Sequence, residues 1–316
     1  MIPIISIIII NYSEKKLLSE CLQSVKKTNY ENYEIIVVDN KSDDYSVEFL
    51  NKEYPDIKVI KLSKNCGFAI PNNLAAKTAK GKYLVFLNND TIVKPTWLEE
   101  LLKCLEKDDR IKIAQSLLLK PDSSVDSSGD FIDHYGRAYS KHDIPKKPRN
   151  ILSAKAACMI IEKEFFLDLG GFDESYFATF EDVELGWRCW LYGFKVILVP
   201  SSIVIHKGGE TIKKLHNEIS FHGVKNNISL RLTHLDFWDS CRTLFSMFFI
   251  LFFKKFFRFS IVNEVDQKFN IPNISTVIKA FFWILKNLNK ISKKRKHIRS
   301  RMTTKNQELK NLGLIN

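Results

Sequence analysis

The chain predicts an α/β fold: a mostly parallel sheet flanked by helices, with a helical extension at its C-terminal end. Three observations predict it. Apolar runs of strand length alternate with amphipathic helix patterns through residue 105. The first run, residues 4–10, is isoleucine-rich and unbroken by charge, as suits a strand covered on both faces. After about residue 235 the pattern changes to phenylalanine-rich, then basic, helical periodicity.

The elements follow in order. Residues 4–10 read as a buried strand; the run is short for a secretory signal and lacks a basic lead-in. Ser13 can cap a helix over 14–27 that places Leu17, Leu18, Cys21, Leu22 and Val25 on one face. Residues 34–39 form a second strand ending in Asp39, and 57–62 a third. Pro71 can open a helix through Ala79, closed by Gly81. Residues 83–87 form a fourth strand, and Pro95 starts a helix with Trp97, Leu98, Leu101, Leu102 and Leu105 inward. Right-handed crossovers make these strands parallel. Ligands of such sheets bind beyond the strand carboxyl ends, so Asp39 and Asp90 should face one crevice.

Residues 111–119, 156–161, 196–199 and 203–206 read as further strands, and 120–150, rich in Ser, Asp, Pro and Lys, as a long loop of the kind that often carries function. Residues 237–259 and 274–288 read as apolar helices. The chain therefore divides into a domain over 1–235 and an extension over 236–316.

The 316 residues carry 48 Lys+Arg against 36 Asp+Glu, a net charge of +12. Such a surface attracts phosphorylated substrates, anionic lipid or nucleic acid. No nucleic-acid-reading motif accompanies it, so nucleic acid is not an expected partner. Seven Lys/Arg and no acid fall between Lys290 and Arg301. The six cysteines form no CxxC pair or zinc-like cluster and read as free thiols. No segment reaches the ~20 apolar residues that span a bilayer.

The chemistry concentrates in two acidic signals. Glu181 and Asp182 sit where a glycine-rich stretch gives way to an amphipathic helix, and a helix N-terminus favours an ionised carboxylate able to act as a base. Asn88, Asn89 and Asp90 end an apolar strand. No GxGxxG follows any strand, which argues against a dehydrogenase. Asn11-Tyr12-Ser13-Glu14 stands where a sugar-nucleotide pyrophosphorylase would need a glycine-rich phosphate loop.

The segments Ser6–Tyr12, Val37–Asp44, Asn65–Ala69, Leu87–Asp90 and Phe180–Asp182 occur in that order. In this the chain resembles family 2 of the inverting glycosyltransferases, most closely its rhamnosyltransferase-like members, over residues 4–210. The resemblance implies a GT-A type, Rossmann-like sheet and transfer of a sugar from a UDP- or dTDP-activated donor to a saccharide or lipid-linked glycan. It implies a donor site at Asn11, Asp39, Asn40, Asn65, Gly67, Phe68, Asn88, Asn89 and Asp90, with Asp39 accepting from the ring N–H of uracil or thymine. Asp90 and His206 would hold a divalent metal, Mn²⁺ or Mg²⁺. Asn88 departs from the family's Asp-x-Asp pattern and removes one anionic ligand. Asp182 is implied as the general base with Glu181 beside it, and Gly171, Phe172, Asp173 and Arg188 as the acceptor side; Arg188 can pair with phosphate or with Glu184. A catalytically silent sugar- or nucleotide-binding relative, or a basic polyanion-binding protein, is the alternative. The phenylalanine-rich and basic C-terminal segments suit docking on an anionic membrane surface from the cytoplasmic side, against the plainer reading of a solvated basic face.

Overall fold

Strand and helix alternate along the first part of the chain: β1 (Ile5–Asn11), α1 (Lys15–Val25), β2 (Tyr33–Asp39), α2 (Ser46–Glu53), β3 (Lys58–Lys61), α3 (Ala69–Thr78) and β4 (Tyr83–Asn88). The computed structural model describes residues 5–134, 136–208, 216–242, 244–245 and 274–316. The four strands are parallel in the order β3-β2-β1-β4. Ile9 of β1 sits between Val37 and Leu87. Side chains of a strand alternate between faces, and both faces of β1 are covered. Ile8, Ile36 and Phe86 join the layer that includes Ala75 and Ala76 of α3. Ile7, Ile9, Val37 and Val85 join the layer that includes Leu18 and Leu22 of α1. This two-sided burial is why the strand can be isoleucine throughout one stretch.

The sheet then becomes mixed. Next come β5 (Thr91–Val93), α4 (Trp97–Leu105), β6 (Ile111–Leu119), β7 (Val125–Ser127), β8 (Asp130–Ile132), β9 (Ala138–Ser140), β10 (Arg149–Asn150), β11 (Cys158–Glu162), α5 (Lys163–Asp168), α6 (Glu181–Leu191) and β12 (Lys195–His206). Strand β11 inserts antiparallel between β4 and β6, and β12 runs parallel to β6. β5 folds back on β12 and sets Thr91 opposite His206.

Several expectations are corrected. The segment 120–150 is not one long loop: it holds β7 to β10, with Phe131 and Ile132 buried. Its strands are two or three residues long, too short for periodicity to register. Residues 196–199 and 203–206 form one strand, with the register broken between Val199 and Ile203 around Pro200. Helix α3 starts at Ala69, two residues before Pro71, which its first turn tolerates. Helix α2 and strand β5 were not foreseen.

The C-terminal elements are α7 (His216–His234), α8 (Ile274–Arg301) and α9 (Asn306–Asn311). The apolar pattern over 274–288 is the first half of α8, which runs on through the basic cluster. Val277, Ala280, Ile284 and Ile291 of α8 pack on Val224 and Ile228 of α7. Asn306 accepts from Trp187 Nε1 at 3.0 Å and donates to the His234 carbonyl at 2.7 Å. Ile315 bridges Ile132. Most of the phenylalanine-rich helix expected over 237–259 lies outside the described residues. Cys21, Cys104, Cys158 and Cys189 are buried free thiols, Cys66 is half-buried and Cys241 exposed. Among the described residues no helix is long and apolar enough to cross a membrane.

Candidate active site

The carboxyl ends of β1, β2 and β4 open on a cavity of ≈ 450 Å³. Asn11 and Asp39 are register partners beneath it, not on its wall. Asn11 is fully buried; it donates to Ser42 Oγ at 3.0 Å and accepts from Asn89 Nδ2 at 2.9 Å. Asp39 is 2% exposed. One of its oxygens accepts from the Ser42 N–H at 3.2 Å, while Oδ1 is buried with no hydrogen-bond partner. A buried acceptor left open in this way is costly unless a ligand donor meets it.

Asn40 knits the neighbouring loop. Its Nδ2 donates to Asn65 Oδ1 and to the Gly67 carbonyl, both at 2.9 Å, and its Oδ1 accepts from the Cys66 N–H at 2.8 Å. Asn40, Asn65, Gly67 and Phe68 line the cavity. Gly67 has φ +75°, and a Cβ there would stand 2.1 Å from the Phe177 carbonyl oxygen. The close approach at Gly67 is made to the chain's own backbone, locked by Phe68 N–H donating to that oxygen at 2.7 Å.

Asn88, Asn89, Asp90 and His206 also line the cavity. Asp90 Oδ2 accepts from the Gly208 N–H at 3.1 Å. Its Oδ1 is buried without a hydrogen-bond partner and lies 3.4 Å from His206 Nε2. His206 Nδ1 meets Asp126 Oδ2 at 2.9 Å, and Asn88 Nδ2 lies 3.4 Å from Nε2. Burial disfavours a charged imidazole, but the Asp126 and Asp90 carboxylates outweigh it and lift His206 to about 9. A carboxylate on the far nitrogen of a histidine is the usual support of a metal ligand. Among the described residues no group of three or more His, Cys, Asp or Glu could hold an ion. Asp90 and His206 alone are two ligands, so a Mg²⁺- or Mn²⁺-like cation here would need its other oxygens from phosphate and water, and binding it would displace the imidazole proton.

Glu181 and Asp182 begin α6, and the backbone before them is strained. Thr179 and Phe180 both have φ +67°, a left-handed conformation that non-glycine residues adopt at a cost of about 1–3 kcal/mol each. Asn226 of α7, fully buried, holds this corner by donating to the carbonyls of Ala178 and Thr179 at 2.9 and 2.8 Å. Asp182 is partly open to the cavity. Its Oδ1 accepts from the Val183 N–H at 2.8 Å and its Oδ2 from the Ala156 N–H at 3.4 Å. Glu181 is 7% exposed and its Oε2 has no hydrogen-bond partner. Desolvation raises both carboxyls above their ordinary range, aided at Glu181 by the Asp182 charge and at Asp182 by Asp130; Lys155 opposes the rise at both. The two backbone donors on Asp182 favour its anion, so Asp182 ionises before Glu181.

The sequence reading missed Asp126, Asp130, Lys155 and Asn226. Asp130 and Lys155 share the cavity wall, with Lys155 Nζ 3.7 Å from Asp130 Oδ1. Asp126 and Asp130 lay inside the segment taken as a functional loop, which was the available signal. Nothing local distinguished Lys155 or Asn226.

The acceptor-side expectation is corrected for four residues. Gly171, Phe172, Asp173 and Arg188 lie behind the cavity and not on its wall. Phe172 packs against Phe68, Phe86 and Phe166. Asn73 brackets it, accepting from its N–H at 2.9 Å and donating to its carbonyl at 2.8 Å. Arg188, 6% exposed, donates to Glu184 at 2.7 Å and to the Gly171 carbonyl at 2.8 Å, so its partner is Glu184 and the glycine turn. Asp173 pairs with Lys294 of α8, which also meets Glu184 at 3.0 Å. Most of this charge is taken up within the cluster itself, although Arg188 Nε is left without a hydrogen-bond partner.

The chain is similar to several known proteins. The O-antigen biosynthesis protein RfbC of Myxococcus xanthus is 33% identical over 220 residues, covering 65% of this chain and 17% of that protein. The N-acetylglucosaminyl-diphospho-decaprenol L-rhamnosyltransferase of Mycobacterium tuberculosis is 23% identical over 268 residues, covering 75% and 87%. The crystal structure of GalNAc-T7 with UDP, GalNAc and Mn²⁺ superposes with a TM-score of 0.58 at 20% identity, covering 72% of this chain and 47% of that one. This chain thus spans less than two-thirds of RfbC and of GalNAc-T7. The family described as Glycosyl transferase family 2 matches residues 6–170. That match takes in more than half of the chain, including β1 to β4 and the Asn88-Asn89-Asp90 corner, and the mixed sheet is that of the GT-A glycosyltransferases: this protein belongs to glycosyl transferase family 2.

Proposed function

We propose that the protein is an inverting glycosyltransferase that moves a sugar from a UDP- or dTDP-activated donor, with a preference for dTDP-rhamnose, to a hydroxyl of a saccharide or lipid-linked glycan in envelope polysaccharide synthesis. One observation carries the proposal: Asp182, a carboxylate ready to take a proton, lines the same cavity as the Asp90–His206 pair. The unpartnered Asp39 oxygen beneath that cavity suits the ring N–H of uracil or thymine. The names of the Myxococcus and Mycobacterium relatives support the choice of acceptor and of rhamnose.

In this reading Asp182 receives the proton of the acceptor hydroxyl. The freed oxygen electron pair forms the new bond to the anomeric carbon. The bond from that carbon to the diphosphate oxygen breaks on the opposite face, and the nucleoside diphosphate leaves with the electrons. A divalent cation, when bound by Asp90 and His206, supplies neutralising charge to the diphosphate. Lys155 and the two backbone N–H groups keep Asp182 anionic, and buried Glu181 orients the acceptor. The transferase unit spans residues 1–235, with 236–316 as its extension.

Calorimetric titration with UDP, dTDP, GDP and ADP, each with and without Mn²⁺, tests the donor site. UDP or dTDP should bind, more tightly with Mn²⁺, and Asp90→Ala should remove the metal enhancement. A folded protein that binds none of the four refutes the proposal.

A further inference from the structure

Helix α8 holds nine Lys/Arg and no acid in 28 residues. At about 100° per residue its side chains sort into three faces. The first packs on α7 through Val277, Ala280, Ile284 and Ile291. The second is apolar yet open: Ile278 is 49% exposed, Phe282 65%, Leu285 45% and Leu288 46%. These positions recur at the i, i+4, i+7, i+10 spacing of one helical stripe. The third borders the stripe and consists of Lys279, Lys286, Lys290 and Lys293, all exposed. Their offsets of 7, 11 and 14 residues put them in one row about 21 Å long.

The lysines of that row have no acidic partner among the described residues. The other cations of α8 are mostly committed: Lys294 to Asp173 and Glu184, Arg295 to the carbonyls of Leu232 and Leu235, Arg299 to Asp236 and Arg301 to Asp168. A plain solvated basic face would have no reason to carry an open stripe of Ile, Phe and Leu along its edge. A helix for the boundary between water and lipid has that cross-section: apolar side chains enter the acyl region while an adjoining row of lysines meets anionic headgroups.

We propose that the stripe Ile278-Phe282-Leu285-Leu288 and the row Lys279-Lys286-Lys290-Lys293 of α8 together form a docking surface for an anionic bilayer. The surface is independent of the transferase reading, since no residue of it lines the cavity. Through Lys294 the same helix is anchored to Glu184 of α6, so docking would fix the protein to the bilayer by the element that braces the Glu181–Asp182 helix.

The test is sedimentation of the full chain with vesicles of phosphatidylcholine containing 30% phosphatidylserine, against vesicles of phosphatidylcholine alone. The chain should pellet with the anionic vesicles and be released by 0.5 M NaCl, because that salt shortens the screening length to a few ångströms. Each lysine near such a surface is worth about fivefold in partitioning, so reversing all four to Glu should lower it by at least about 100-fold. Phe282→Ser/Leu285→Ser should lower it by at least about tenfold at unchanged salt sensitivity. All six substitutions are at exposed positions, and an unchanged circular dichroism melt confirms that the variants fold. Three results would overturn the proposal. One is no pelleting of the folded wild type. Another is pelleting that both variants retain, which would move binding to another part of the chain such as the phenylalanine-rich residues 248–257. The third is loss, in the Phe282/Leu285 variant, of a wild-type dimer that ignores vesicles, which would make the stripe a contact between copies.

Discussion

Replacing Gly67 by Ala adds one methyl group at the point where the donor-side loop meets the segment leading to Glu181 and Asp182. The added Cβ would sit 2.1 Å from the Phe177 carbonyl oxygen and 2.8 Å from its carbonyl carbon. Both are backbone atoms, so no side-chain rotation relieves the overlap, and the two loops must part by about 1 Å to restore ordinary contact. Parting them breaks the 2.7 Å bond from Phe68 N–H to the same oxygen. That loss costs about 1 kcal/mol. Holding Ala at φ +75° costs about 1–2 kcal/mol more. The sum is about 2–3 kcal/mol, or a fall of roughly 1 M in the urea midpoint at an m-value of 2–3 kcal/mol/M. Phe177 lies just before the strained Thr179–Phe180 corner, so turnover should fall by more than the folded fraction does. Urea denaturation followed by circular dichroism gives the first number, and product formation under native conditions the second. A midpoint within 0.2 M of wild type would show that the loop yields freely, and the reasoning that couples the two halves of the cavity here would be wrong.

Three further outcomes are expected. Asp182→Asn should lower turnover by about 10²–10⁴ while leaving nucleotide binding within a fewfold, as loss of a general base does; equal loss of nucleotide affinity by calorimetry would count against that role. Arg188→Met leaves Glu184 short of a buried partner and should cost about 3–5 kcal/mol in urea denaturation, whereas a loss under 1 kcal/mol would mean that Lys294 alone satisfies the carboxylate. Relative to a His234→Gln variant, the wild type should lose stability on acidification from about pH 6.5; the comparison cancels Glu181 and Asp182, whose raised carboxyls act in the opposite sense. Burial, against the pull of Glu184, lowers His234 to about 3, so the unfolded chain takes up a proton in that window that the folded chain refuses. Glu184 acts in the same direction at lower pH: burial opposes its charge, but Arg188 and Lys294 hold it at about 2, below its unfolded value. The slope per group cannot exceed about 1.4 kcal/mol per pH unit. A wild type whose midpoint tracks that of the His234→Gln variant between pH 6.5 and 4 would contradict a buried neutral His234.

Residues near one another in sequence announced themselves, and residues assembled from a distance did not. β1, β2 and β4 were legible because burial on both faces demands an apolar run, and α1 and α4 because one-sided burial imposes the 3.6-residue period. Asp39 and Asp90 could be placed at one end of the sheet from topology alone, since parallel strands all end on the same side; topology did not show that Asp39 would lie beneath the cavity and off its wall. The short strands β7 to β10 were hidden because two or three residues carry no period. Arg188 illustrates the limit best. Its spacing from Glu184 was visible, yet burial decided its role: closed inside the protein behind the cavity, its guanidinium gives one nitrogen to the Gly171 carbonyl and Glu184. Lys155 and Asn226 are ordinary residues in their own segments, and only the fold carries one to the edge of Asp182 and the other beneath Thr179. Local chemistry, set by neighbours along the chain, determines strands, helices and the order of motifs. Which polar groups remain free to act depends on which of them burial has already satisfied, and that is settled only when distant segments pack.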